Sequence, residues 1–173
     1  QNLGGGTRAY AVNGDGSVVV GETTFSARAF MWTQANGMQI LPSLGGTGGS
    51  GAYATNSSGN VIVGMSGQFF RPTMWINGSP IELLTSIPDS SLSPFGVSDS
   101  GDVVVGNLNG LGGVQHKTAV WTAASGTTVP LAQYLTANGV ALPAGITLGT
   151  ALAISSDGRT FAGYTENGPY GVQ

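Results

Sequence analysis

The chain has 173 residues, 30 of them glycine, no cysteine, and five basic against eight acidic side chains for a net charge of −3. That excludes the clustered Lys and Arg of a nucleic-acid surface and, for want of a thiol, disulfides, thiolate catalysis and zinc–thiolate sites. No apolar run reaches the roughly 18 residues of a membrane span. One domain with a real core is expected at this length. Abundant glycine without a Gly-X-Y period, between regular apolar runs, points to the turns of an all-β protein. No basic-then-apolar leader opens the chain, and a first residue Gln1 fits a processed or excised piece.

The stretch Ala9–Gly21, reading Ala-Tyr-Ala-Val-Asn-Gly-Asp-Gly-Ser-Val-Val-Val-Gly, returns at Ala52–Gly64, Pro94–Gly106 and Ala151–Gly163. Each copy is an apolar run, a polar or glycine turn, a second apolar run and a closing glycine, the pattern of a β-hairpin. The turn glycines Gly16, Gly59, Gly101 and Gly158 step by 43, 42 and 57 residues, and Trp32, Trp75 and Trp121 follow at steps of 43 and 46. Leu3-Gly4-Gly5 is echoed at Leu44-Gly45-Gly46. A fixed period of this size marks a repeat architecture.

The first unit predicts four short strands: Tyr10–Val12, Val18–Val20, Arg28–Thr33 and Met38–Leu41. The second predicts Tyr53–Thr55, Val61–Val63, Thr73–Ile76 and Ile81–Leu84, with Asn77-Gly78 as a tight turn whose residues tolerate positive φ. The run Leu44–Gly51 between them reads as a linker, because it lacks the Lys-Ser/Thr of a phosphate loop. The third unit carries extra residues at 108–117, with the only histidine, and a second insertion at 130–139. Pro130, an apolar face of Leu131, Tyr134 and Leu135, and an Asn138-Gly139 stop predict a helix of about two turns there. The fourth unit ends at Tyr170–Gln173, with no Trp and no last strand.

Four repeats of about 43 residues with four short antiparallel strands each predict a β-propeller-like fold. It forms a single repeat domain over 1–173, with units near 3–43, 44–86, 87–143 and 144–173. Residues 1–3 align with the last strand of the first unit and are expected to complete the fourth, closing the ring and removing two sheet edges. A larger ring, half of an eight-bladed dimer and an open stack are the alternatives.

The combination of Leu-Gly-Gly, then Tyr-Ala-x-Asn-x-x-Gly-x-Val-Val-Gly, then Ala-Phe-x-Trp resembles the HAF-family extracellular repeats of bacteria. Similar repeats occur in passenger regions of some autotransporters. The resemblance implies export and a propeller-like fold, and it implies no activity. The histidine of the family's His-Ala-Phe-x-Trp is replaced by Arg28, Arg71 and Lys117, and Ala-Phe follows only in the first unit.

Those three basic residues share one position of the repeat, on the side of the strand that carries the Trp. They and His116 are the candidate ligand-binding residues, for an anionic sugar or envelope polymer; the alternative is that their aliphatic stems cover apolar surface. Trp32, Trp75 and Trp121, with Tyr10, Tyr53 and Phe95, are expected in the core between units. No metal is expected, since Asp15, Asp99, Asp102 and Asp157 sit in turns where Asn, Asp and Ser serve the backbone. Catalysis has little to draw on: no Gly-x-Ser-x-Gly elbow, no thiol, no carboxylates spaced for one cleft. The expectation is a non-catalytic, exported or cell-surface scaffold without cofactor that binds a glycan or protein. A fibre subunit exchanging terminal strands and a polysaccharide-acting enzyme are the alternatives.

Overall fold

The computed structural model describes residues 6–46, 48–110 and 117–167, with the backbone alone at 117 and 167. Three four-stranded antiparallel meanders succeed one another. The first sheet is β1 (Thr7–Val12), β2 (Val18–Thr23), β3 (Ala29–Thr33) and β4 (Gly37–Ile40). The second is β5 (Gly51–Thr55), β6 (Val61–Ser66), β7 (Arg71–Ile76) and β8 (Ser79–Glu82), and the third β9 (Ser90–Val97), β10 (Val103–Gly110), β11 (Lys117–Thr122) and β12 (Thr127–Pro130). The short helix α1 (Leu131–Ala137) leads to a two-stranded sheet of β13 (Thr147–Ile154) and β14 (Phe161–Asn167). The helix falls where the sequence places it, with Pro130 as its N-cap residue and Leu131, Tyr134 and Leu135 packed on the third and fourth sheets.

Every copy of the repeated hairpin is built by the same local chemistry. The first turn residue turns its side-chain oxygen back to accept the amide five positions on. Asn13 takes Val18 at 2.8 Å, Asn56 takes Val61 at 3.1 Å, Ser98 takes Val103 at 3.1 Å and Ser155 takes Thr160 at 2.9 Å. Asn in the first two copies and Ser in the last two serve equally at this position, because either supplies the one acceptor needed. Gly16, Gly59, Gly101 and Gly158 then stand at φ between 73° and 78°, a left-handed conformation that favours glycine. Asn77 and Gly78 both have positive φ, as a two-residue hairpin turn requires.

The closing glycine has a different cause. In each sheet the pairing of the first two strands slips by one residue, leaving Tyr10, Tyr53, Phe95 and Leu152 as the extra residue of a β-bulge. The bulge pushes a backbone carbonyl over the neighbouring strand. A Cβ on Gly21, Gly64, Gly106 or Gly163 would lie within 3.0 Å of the carbonyl oxygen of Arg8, Gly51, Ser93 or Thr150 respectively. The repeated Val-Val-Gly is therefore a record of a repeated bulge.

The turns also tie the sheets together. The Gly14 amide donates to the Ser57 carbonyl at 3.1 Å, the Ser57 amide to the Asp99 carboxylate at 2.9 Å, and the Asp99 amide to the Ser156 carbonyl at 2.9 Å. The Asn56 side chain adds a bond to the Asp99 carbonyl at 2.9 Å. A hydrogen-bonded belt thus runs along one edge of all four sheets. Hydrogen bonding from Ser57 holds the Asp99 carboxyl below the ordinary carboxylate range. A carboxyl whose folded pKa is depressed stabilises the fold above its unfolded pKa, near 3.9, and that contribution fades as pH falls through the folded value. Asp99→Ala is accordingly expected to show a smaller fall in Tm than the parent protein between about pH 5 and pH 2. Equal acid-side losses would show that the Asp99 link carries no stability. Asp15 and Asp157, whose carboxyls are also lowered by local Ser partners, keep some acid sensitivity in either protein.

Three apolar layers lie between the four sheets. Val18, Val20, Ala29 and Leu41 of the first unit meet Ala52, Ile62 and Trp75 of the second. Val61, Val63 and Met74 meet Leu92, Val97, Val104, Leu108, Ala119 and Trp121 of the third. Val105 and Val120 meet Ala151, Ile154 and Phe161 of the fourth, with α1 closing the layer. The second and third sheets thus each bury one face on the sheet before and the other on the sheet after. The alternation of Val18-Val19-Val20 and its copies supplies both faces, because successive side chains in a strand point to opposite sides.

Several sequence expectations need correction. Trp75 is fully buried and Trp121 is 7% exposed, but Trp32 is only half-buried, because among the described residues no sheet lies over that face of the first sheet. Tyr10 is 46% exposed, and Tyr53 and Phe95 are half-buried rather than in the core. They are the bulged residues, and the bulge turns them out of the interlayer face to the inner edge where β1, β5 and β9 meet. The Tyr10 and Tyr53 rings touch edge to face there at 5.4 Å. The fourth sheet has two strands among the described residues, and the expected pairing of residues 1–3 with it lies outside them.

Candidate functional site

The shared positions are occupied by scaffold, so the site is sought where the units differ. A hollow of about 800 Å³ opens at the edge opposite the turn belt, between the second and third sheets. Its walls include Phe69 and Phe70 from the β6–β7 turn, Arg71 and Glu82 from the second sheet, and Ile87 and Asp89 from the loop before β9.

Strain marks this turn. Phe69 and Phe70 have φ of 72° and 51°, and Asp89 across the hollow has φ of 52°. A non-glycine residue held in the left-handed region costs on the order of 1–3 kcal/mol, and such residues cluster at functional sites. Phe69 is nevertheless 84% exposed and Phe70 is 52% exposed, so burial of the rings does not repay that cost. What holds the turn is the glycine run of the preceding linker. A Cβ on Gly48 would come within 3.0 Å of the Gly67 carbonyl, and Cβ atoms on Gly46 and Gly49 would lie 3.2 Å from Gln68 and from the Phe70 ring. The linker is a flat bed for an aromatic turn, which explains why so many glycines stand together there.

The basic residues at the shared repeat position have separate fates. Arg71 pairs with Glu82 at 2.7 Å and donates to the carbonyl of Leu44 in the linker. Its charge therefore serves the contact between the first unit's linker and the second sheet. Arg28 is exposed just before β3. The side chain of Lys117, and His116 altogether, fall outside the described residues. Arg8, which the repeat pattern does not single out, pairs with Glu22 at 3.0 Å, and Glu22 also accepts the Tyr10 hydroxyl at 2.8 Å.

Among the described residues no three His, Cys, Asp or Glu side chains gather as metal ligands, and no helix is long and apolar enough to cross a membrane. Sequence reasoning missed Phe69 and Phe70. The available signal was a pair of adjacent aromatics directly after Gly67-Gln68, breaking the strand alternation where a turn was due. The first unit repeats the hint with Phe25, which is 94% exposed, and with Ala27 at positive φ in the equivalent turn. Comparison with protein families, with curated proteins and with solved structures gave no match.

Proposed function

We propose that this chain is a non-catalytic binding scaffold of the bacterial cell surface, built of HAF-like repeats as successive propeller-type blades, and that the hollow beside Phe69 and Phe70 is its contact site for a polysaccharide chain. One observation carries the reading: two adjacent phenylalanines are presented outward at a cost in backbone strain, in a turn whose backbone and Phe70 ring lie against the linker glycines Gly48 and Gly49. Exposed rings offer the apolar surface, and the few polar side chains around them fix orientation, which is the usual composition of a small-ligand site. Glu82, Asp89 and Asn109 supply acceptors and donors suited to sugar hydroxyls. Export and surface location rest on the repeat resemblance, and the arc of sheets packed on one another supports the blade reading.

The test is an array of bacterial and plant polysaccharides probed with the protein and with Phe70→Gly. Binding by the parent chain and at least tenfold weaker binding by the variant are expected. Tm should be unchanged or higher in the variant, because glycine relieves the left-handed strain. Binding that survives Phe70→Gly moves the site elsewhere, and turnover of any bound glycan makes the protein an enzyme and ends the reading.

A further inference from the structure

The first sheet carries an apolar row with no sheet over it among the described residues. Val12, Val19, Trp32 and Met38 stand opposite one another across β1 to β4 and so point to one face. The same row in the second sheet is Thr55, Ile62, Trp75 and Pro80, and there the first sheet covers it, leaving Ile62 at 1% and Trp75 at 0% exposure. In the third sheet the row Val97, Val104, Trp121 and Thr128 is buried throughout beneath the second. In the first sheet Val12 is 58% exposed, and Val19, Trp32 and Met38 are half-buried. The side chains are those of an interlayer face, and only the cover is missing.

The other end of the stack has the complementary face. Ala153 and Ala162, paired across β13 and β14, point away from the third sheet and are exposed, and Tyr164 beside them is 59% exposed. Ala162 occupies the position of Val20, Val63 and Val105, and Ala153 that of Ala11, Ala54 and Gly96, on the face that the first three sheets lay on their successors. Among the described residues the stack therefore ends in one free face of each kind. Its sheets pack first on second, second on third and third on fourth, with no extensive packing of the first sheet against β13 or β14 among those residues.

We propose that a second copy of this chain covers the exposed row of the first sheet with the outer face of its own last sheet. The contact continues an interface that the chain already makes three times, with the same face meeting the same kind of face. It is head-to-tail, so it closes into a ring if the rotation allows and extends into an open filament if it does not. The partner's face is small, two strands with Ala162 where the other sheets bear Val20, Val63 and Val105, so the association is reversible and concentration-dependent. It is independent of the polysaccharide reading, because the hollow lies at strand ends and not on this sheet face.

Light scattering across a range of concentration on the order of a hundredfold tests it. The parent chain should rise from 17.3 kDa toward twice that mass or more. Val19→Arg removes the receiving face and Ala162→Arg the donating face, so each alone should stay at the mass of one chain. An equimolar mixture of the two variants retains one intact contact and should form a pair that grows no further. A parent protein of single-chain mass at every concentration overturns the proposal, and this includes closure of the chain on itself. An assembly abolished by Val19→Arg but untouched by Ala162→Arg overturns it too, since the first sheets would then be meeting each other. Should Val19→Arg fail to fold, Ala162→Arg at its exposed site gives the same decision alone.

Discussion

Trp75→Ala is expected to destabilise the chain by about 3–5 kcal/mol, the range for truncating a buried large aromatic. Set against a total stability of about 5–15 kcal/mol for a domain, that removes about a fifth of the margin or more. Trp75 has no exposed surface and packs with Val18, Val20 and Ile62 in the layer between the first two sheets. Its indole nitrogen donates to the Pro42 carbonyl at 2.7 Å, fastening the linker that carries the glycine bed. Urea denaturation measures the loss, and a cost below about 1 kcal/mol would mean that the layer refills the cavity and that the two sheets are not held by this ring. Two milder variants separate packing from the hydrogen bond. Trp75→Phe removes the donor to the Pro42 carbonyl, at a cost of about 0.5–1.5 kcal/mol beyond the lost volume, since Pro42 is exposed and water can replace it. Trp121→Phe carries no such term, because the Trp121 indole nitrogen is buried without a hydrogen-bond partner among the described residues. The Leu84 carbonyl, which stands where Pro42 does in the preceding unit, is taken by the amide and hydroxyl of Thr128, both at 3.1 Å. Equal costs for the two Phe variants would remove the Pro42 bond from the account.

The contrast between those two tryptophans shows what the sequence could convey. Period, strand count in the first two units, turn chemistry and the short helix were legible because each depends on neighbours within a few residues. Asn13 and Val18, or Asn77 and Gly78, settle their geometry locally, and the same solution repeated makes it easy to recognise. The faces of the sheets were half legible: alternation announces that both sides of β2 and β6 are apolar, but not which of them finds a cover. Trp32 and Trp75 have the same local sequence setting and differ in burial only through their place in the stack. The bulged aromatics Tyr10, Tyr53 and Phe95 were misplaced for a related reason. A bulge shifts one residue out of the period on which an inward or outward assignment rests, and only the closing glycine hinted at it. Phe69 and Phe70 were invisible to a search for shared positions because the repeat has no such pair to share.

The closing glycine gives the sharpest test of that account. Gly64→Ala is expected to cost at least about 3 kcal/mol, beyond the usual range for a single added methyl group in a packed interior. The atoms that its Cβ would meet are the Gly51 carbonyl group and the Ala52 Cα, all backbone, so no side chain can swing aside. Relief requires the bulge itself to open, which restores a regular ladder and moves every residue of β5 N-terminal to Tyr53 by one place. Hydrogen exchange should accordingly report lost protection at the amides of β5, and the edge-to-face contact of Tyr53 with Tyr10 should be lost with it. Gly78→Ala is the matched control. Gly78 has φ of 81° and nothing within 4 Å of the place its Cβ would take, so its cost is conformational alone, about 1–2 kcal/mol. If both substitutions cost the same, the closing glycines answer to backbone conformation and not to the bulge carbonyl. If Gly64→Ala costs more and exposes β5, the thirteen-residue repeat of Ala9–Gly21 is explained from end to end. Its turn residues fold the hairpin and join it to the next, its valines face two layers at once, and its last glycine makes room for the bulge that sends one aromatic to the inner edge.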